Sequence, residues 1–206
     1  MSVPRSNYLA QLPSIGWTLV SAPFNIASQF SQELTYNSSL NNGTILIDYS
    51  GVESKALYFE ANITGLTPNT LAGTLNFTFT SSLSGENVMG GTTVGGDTWL
   101  SRQHTYGFDN PFFTDKFSST GIYSGSANGS WTISGVIDRT ILEVFINGAE
   151  QSGTMVFYPT SPLDTMRIGA GSIPATASVS VGVWALGDAW AEYENVNGTV
   201  VGNVTA

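Results

Sequence analysis

The sequence predicts an all-β fold, two antiparallel sheets packed face to face as a β-sandwich. Three observations carry this. Short runs of β-branched and aromatic residues recur along the chain, each bounded by Gly, Asn, Pro or Ser. The polar content is mostly Ser, Thr, Asn and Gly, and only 10% of the residues are charged. No segment sustains a 3.6-residue period over three turns behind a capping residue. With 206 residues, 41% of them hydrophobic, the chain has material for one substantial core.

The chain opens with MSVPRSNYLAQLPSIGWTLVSAP (1–23), which carries three prolines and one strand-like piece at Trp17 to Val20 with no evident partner strand. It is expected to be a connector entering a sandwich over 24–206. Strands are expected in GTILIDYS (43–50), ALYFEANI (56–63) and TLNFTFTS (74–81). In the last of these, Leu75, Phe77 and Phe79 alternate with Asn76 and Thr78, as in a sheet with one face on a core. GENVMGGTTVGGD (85–97) is glycine-rich, but it has neither phosphate-loop spacing and no helix follows it, so it reads as a sheet-edge loop. Further strands are expected in WTISGVID (131–138), ILEVFING (141–148), GTMVFYPT (153–160) and SVSVGVWAL (178–186). The set suits a lectin-like, concanavalin-like jelly roll.

Six basic residues against fifteen acidic ones leave a net charge of −9. Such a chain is repelled by phosphate backbones and anionic lipids, so neither nucleic acid nor membrane is expected as a partner. Cysteine is absent and His104 is the sole histidine, lying in SRQHTYGFDN without metal-ligand or nucleophile spacing. No metal or cofactor is therefore expected, and His104 reads as structural or solvent-exposed. Seven Asn-x-Ser/Thr sequons occur, at Asn37, Asn42, Asn62, Asn76, Asn128, Asn197 and Asn203. That is roughly twice the number this composition yields by chance, and it points to a secreted, glycosylated protein whose leader lies outside this chain.

The stretch GVIDRTILEVFINGAE (135–150) holds two carboxylates, Asp138 and Glu143, of the kind a glycosidase uses in pairs. DRT reads as the turn of a tight hairpin, placing Asp138 at a corner. In the second strand Leu142, Val144 and Ile146 share one face, and Ile141, Glu143 and Phe145 the other. A separation of roughly 15 Å along an extended strand is too wide for a retaining pair, which needs about 5–5.5 Å. The expected reading is a turn Asp138 paired with Arg139, and a surface Glu143 with no catalytic role. Ile141 and Phe145 make the outer face apolar as well, which predicts a covering partner.

This hairpin resembles the VDRSSVEVFVNDGE-like strand pair in the C-terminal β-sandwich of glycoside hydrolase family 32, the invertases, inulinases and related fructosyltransferases. MSVPRSNYLAQLPSIGWTLVSAP is similar to the exit from that family's catalytic propeller, whose last strand ends in an LPRE-like run. WLSRQHTYGFDNPFFTDKF (99–117) resembles its Asp-Arg strand and NPFF loop. The family's catalytic NDPNG, RDP and EC motifs, which lie in an N-terminal five-bladed propeller, do not occur in this sequence. The resemblance implies a non-catalytic accessory module of a secreted β-fructofuranosidase-type hydrolase. Its partners would be the propeller, a second copy in a homo-oligomer, and sucrose or fructan as the parent enzyme's substrate. The alternative is a free-standing lectin-like carbohydrate-binding module, with Trp99, Tyr106 and Phe112 as candidate sugar-stacking residues.

Overall fold

The computed structural model describes residues 3–12, 16–67, 72–108, 114–120 and 129–187. In chain order the strands are β1 (Arg5–Leu12), β2 (Gly16–Pro23), β3 (Phe30–Asn37), β4 (Thr44–Asp48), β5 (Ala56–Thr64), β6 (Thr74–Thr80) and β7 (Asn87–Thr93). They continue as β8 (Asp97–His104), β9 (Lys116–Thr120), β10 (Trp131–Asp138), β11 (Ile141–Ile146), β12 (Gln151–Val156), β13 (Thr165–Gly171) and β14 (Ser178–Leu186). Among the described residues the only helical turns are two short 3₁₀ segments, Ile26–Gln29 and Tyr106–Phe108. One six-stranded sheet runs β12-β11-β10-β5-β14-β3 and the other β4-β13-β6-β7-β8-β9, with every neighbouring pair antiparallel. Together they make the expected sandwich.

The period-2 patterns position the core. Leu57, Phe59, Ala61 and Ile63 of β5, with Leu142, Val144 and Ile146 of β11, point from the first sheet onto Leu75, Phe77 and Phe79 of β6 in the second. The Phe59 ring lies 4.9 Å from that of Phe77 and 5.8 Å from that of Phe79, tilted and edge-on, the arrangement ring quadrupoles favour. The turn between β10 and β11 is the expected tight hairpin, with Arg139 in the left-handed region at φ 51°.

Two expectations need correction. The glycine-rich stretch 85–97 is not an edge loop, because residues 87–93 form β7, an interior strand of the second sheet. Gly90 faces inward there, where a Cβ would stand 2.6 Å from Leu100 Cδ2, so the rings and methyls of neighbouring strands fill the space a side chain would take. The opening segment is likewise more than a connector with a lone strand-like piece. Residues 5–12 pair with 16–23 in full antiparallel register as a hairpin of its own. β1 escaped notice because RSNYLAQL is polar and lies largely exposed. β3 (FSQELTYN), at the edge of the first sheet, escaped for the same reason. β13 (TMRIGAG) buries only Met166 and Ile168 and is otherwise small or charged.

Candidate functional site

The outer face of the first sheet is where the expected partner surface lies. On β11 the residues directed away from the core are Ile141, Glu143 and Phe145. The β1–β2 hairpin lies over Glu143 and Phe145. Val20 of β2 packs with Phe145 and Ala149, and Ala10 and Ala22 close around this small second core. Phe145 is 1% exposed, so its part of the outer face is covered within the chain itself, contrary to the expectation that it awaits a separate partner, while Ile141 is half-buried at the cleft.

Glu143 is also 1% exposed and is not a surface residue. Its Oε2 accepts from the Arg5 guanidinium at 2.7 Å, and its Oε1 accepts from the Val3 backbone N–H at 3.1 Å. Arg5 donates further to Ser152 Oγ at 3.0 Å and Thr154 Oγ1 at 3.3 Å on β12, and its guanidinium carbon sits 5.0 Å from the centroid of the Phe145 ring. This is the one ion pair among the described residues, so Asp138 does not pair with Arg139. The physical reason is burial. A carboxylate removed from water demands a cation and hydrogen bonds, whereas Asp138 and Arg139 at a corner have water instead.

The register changes the geometry of the two carboxylates as well. Asp138 faces Ile141 across the hairpin and Glu143 faces Val136, so Asp138 and Glu143 are diagonal neighbours on one face, about 7–8 Å apart between Cα atoms and not the roughly 15 Å of an extended strand. Proximity does not make them a catalytic pair. Both oxygens of the Glu143 carboxylate are engaged in structural hydrogen bonds, Oε2 with Arg5 and Oε1 with the Val3 N–H, and Asp138 has no such partner among the described residues to set the two groups in different acid–base roles.

Beside the hairpin opens a cleft of about 780 Å³. It is lined by Ala56, Val136 and Leu186, by Val3 and Pro4, by the 24–29 segment, and by the β10–β11 hairpin with Asp138, Arg139, Ile141 and Glu143. Phe30, Tyr58 and Trp184 continue the apolar surface, with the Phe30 and Trp184 rings stacked at 5.0 Å. The hairpin's own far side is apolar too. Leu9 and Leu19 face each other across it, and Leu9, Leu19 and Trp17 are 67%, 62% and 69% exposed.

The remaining candidates scatter. Trp99 lies on the outer face of the second sheet, opposite Gly91 of β7, with the Lys116 ammonium 5.2 Å from its ring centroid. Tyr106 projects from the 3₁₀ turn after β8, and His104, at the end of β8, is exposed with its ring nitrogen 3.1 Å from Gln103 Nε2. Phe112, Asn128, Asn197 and Asn203 lie outside the described residues. No cluster of His, Cys, Asp and Glu that would hold a metal ion occurs among the described residues. Of the other sequons, the Asn37 side chain accepts from the Ser39 N–H, Asn42 bonds both backbone groups of Ile173, and Asn62 accepts from the Thr132 hydroxyl. Asn76 is exposed on β6.

Sequence reasoning missed two charged residues. Arg5 stands in a segment with no marked pattern, 138 positions from its partner. Glu86 is buried, and its carboxylate accepts from the backbone N–H of Tyr106 at 2.7 Å, from the N–H and hydroxyl of Thr160, and from the Ser84 hydroxyl at 2.8 Å. Burial alone would raise its pKa, but the hydrogen bonds from Thr160, Tyr106 and Ser84 outweigh that and draw it down to about 2.

Residues 26–185 match the family model described as the C-terminal part of glycosyl hydrolases family 32. The chain belongs to this family. As a family 32 C-terminal domain it is similar in fold to part of an exo-inulinase from Aspergillus awamori, with a TM-score of 0.73 and 18% identity over 92% of this chain and 36% of that one. A β-fructofuranosidase from Schwanniomyces occidentalis, solved with fructosyl-erythritol, aligns at a TM-score of 0.71 and 16% identity over 91% and 40%. A glycoside hydrolase family 32 protein from Bifidobacterium adolescentis aligns at 0.56 and 22% over 92% and 26%. The chain thus spans two fifths or less of each of these proteins. No curated protein sequence matches it significantly.

Proposed function

We propose that the chain is the non-catalytic sandwich of a secreted β-fructofuranosidase-type enzyme, docked against an N-terminal five-bladed propeller that hydrolyses sucrose or fructan. The observation that carries this reading is the β1–β2 hairpin. One side is clamped to the sandwich by Val20, Phe145 and the Arg5–Glu143 pair, while the other displays Leu9, Trp17 and Leu19 to solvent. Monomers rarely expose large apolar side chains clustered in this way without a partner, and Phe24, which follows β2 and lines the cleft, is exposed as well. The acid-base chemistry then belongs to the propeller. The sandwich contributes stability and shapes one flank of the assembly. Residues 1–23 would serve as the linking element and 24–206 as the sandwich.

The test is association in trans. The chain is mixed with a family 32 catalytic propeller made without its sandwich, and both binding and the heat resistance of fructose release are measured. Binding that raises the propeller's inactivation temperature, and weakens when Leu9, Trp17 and Leu19 become Ser, supports the reading. Equal binding by the triple variant, or none by either protein, counts against it. Self-association of the chain alone through the same three residues would mark the patch as a homo-oligomer contact. The carbohydrate-binding reading rests on the exposed Tyr106 and on Trp99, and a titration with sucrose or inulin decides it.

A further inference from the structure

We propose that Asn76 carries an N-linked glycan whose first N-acetylglucosamine lies across Gly91 and packs on the ring of Trp99. On the outer face of the second sheet, one row across the strands reads Gly169, Asn76, Gly91, Trp99. Glycine is disfavoured inside strands, where it weakens the element unless something must come close to the backbone. Gly90 answers to the core side. Gly91 points outward, and there a Cβ would fall inside contact distance of Asn76 Oδ1 and 3.1 Å from its Cγ. The Asn76 side chain therefore leans over β7 toward β8, and only a glycine beneath it permits that posture.

Along β6 the sequon Asn76-Phe77-Thr78 alternates out, in, out, with Phe77 in the core and Asn76 exposed. Among the other described sequons Asn42 spends its Nδ2 on the Ile173 carbonyl, and Asn37 and Asn62 are held through their Oδ1 by the Ser39 N–H and the Thr132 hydroxyl, whereas the Asn76 side chain makes no hydrogen bond among the described residues. Glycine on both sides leaves a trough, and Trp99 bounds it one strand beyond Gly91. A pyranose ring has an apolar face of C–H groups that packs against an electron-rich aromatic face. Lys116, on β9, holds its ammonium 5.2 Å from the Trp99 ring centroid, and being exposed and flexible it moves aside without loss of core contacts. The docking face lies on the other sheet, so the glycan leaves it clear.

The inference depends on the proposed function only for passage through a eukaryotic secretory pathway, which the host supplies, so the docking reading can fail while this one stands. The protein is secreted from yeast, trimmed enzymatically to a single N-acetylglucosamine per site, and mapped by peptide mass. A thermal double-mutant cycle is then run with Asn76→Gln and Trp99→Leu, and repeated on unglycosylated protein from bacteria. Support is a modified Asn76 peptide, together with a coupling of about 2–4 °C in melting temperature in the sugar-bearing protein that is absent from the bacterial one. If Trp99→Leu does not fold, Trp99→Thr takes its place in the cycle. An unmodified Asn76, an additive cycle in the sugar-bearing protein, or the same coupling without sugar each overturns the proposal.

Discussion

Glu143 shows how a single carboxylate changes its role with its surroundings. In an apolar strand it has the look of a catalytic group, but under the hairpin it is a structural anion with one cation and one N–H as partners. Removing one member of a buried pair strands the other. Glu143→Gln should therefore destabilise the protein by about 2–3 kcal/mol, below the ~3–5 kcal/mol of a fully enclosed pair because Arg5 keeps some contact with water. Replacing both, as Arg5→Met with Glu143→Leu, should return most of that loss, and urea melts of the three variants check it. Glu86 gives a pH test. Its folded pKa of about 2 lies below the ordinary 4.5, so its contribution is complete above pH 4.5 and is lost as pH falls toward 2. Glu86→Gln should cost about 1–3 kcal/mol at neutral pH and flatten the stability profile in that acid window, as read by melts from pH 2 to 6.

The β1–β2 hairpin carries the most consequence of any element. It covers Phe145 of β11 and leaves Leu9, Trp17 and Leu19 exposed on its far side, so the docking surface we propose lies there and not on β11 itself. Substitutions at the two sites should act in opposite ways. Phe145→Ala opens a cavity beneath the hairpin and should cost about 3–5 kcal/mol, with aggregation as the visible result. Ser at Leu9, Trp17 or Leu19 should leave the melting temperature nearly unchanged and raise solubility, while each weakens association with a propeller on the order of tenfold. Light scattering and a binding titration on the same samples separate the two classes. A soluble, stable Phe145→Ala protein would refute this account of the hairpin.

For the whole molecule, the family's missing catalytic motifs and the two buried carboxylates among the described residues predict no hydrolysis. Glu143 is neutralised by Arg5, and Glu86 is held by four hydrogen bonds on loops between the sheets. The purified chain should release no fructose from sucrose, inulin or levan, and Glu143→Gln should change stability alone. Release that is lost in Glu143→Gln would reverse this conclusion. The outer faces of the two sheets differ: the first carries the cleft and the Arg5–Glu143 pair, and the second presents Asn76, Thr78 and Trp99.

What the sequence determined by itself was whatever a local period encodes. Short β-branched and aromatic runs marked TLNFTFT, WTISGVID, ILEVFI and SVSVGVWAL as strands, and alternation in TLNFTFT marked its inward face, because side chains on a strand point to alternate sides whatever the strand is paired with. The hairpin at DRT was equally local, and the order of motifs along the chain was enough to indicate the family. Polar or glycine-rich strands were not legible. β1, β3 and β7 owe their form to neighbours: β1 to pairing with β2, β3 to its place at a sheet edge, and β7 to the side chains of β6 and β8 that fill the space beside Gly90. The candidate site was decided by the tertiary structure alone. Whether Glu143 is exposed and which cation it meets depend on a segment 138 residues away folding over β11, and long-range pairing of that kind leaves no periodic trace in the chain, whereas its distance from Asp138 follows from the register of the β10–β11 hairpin.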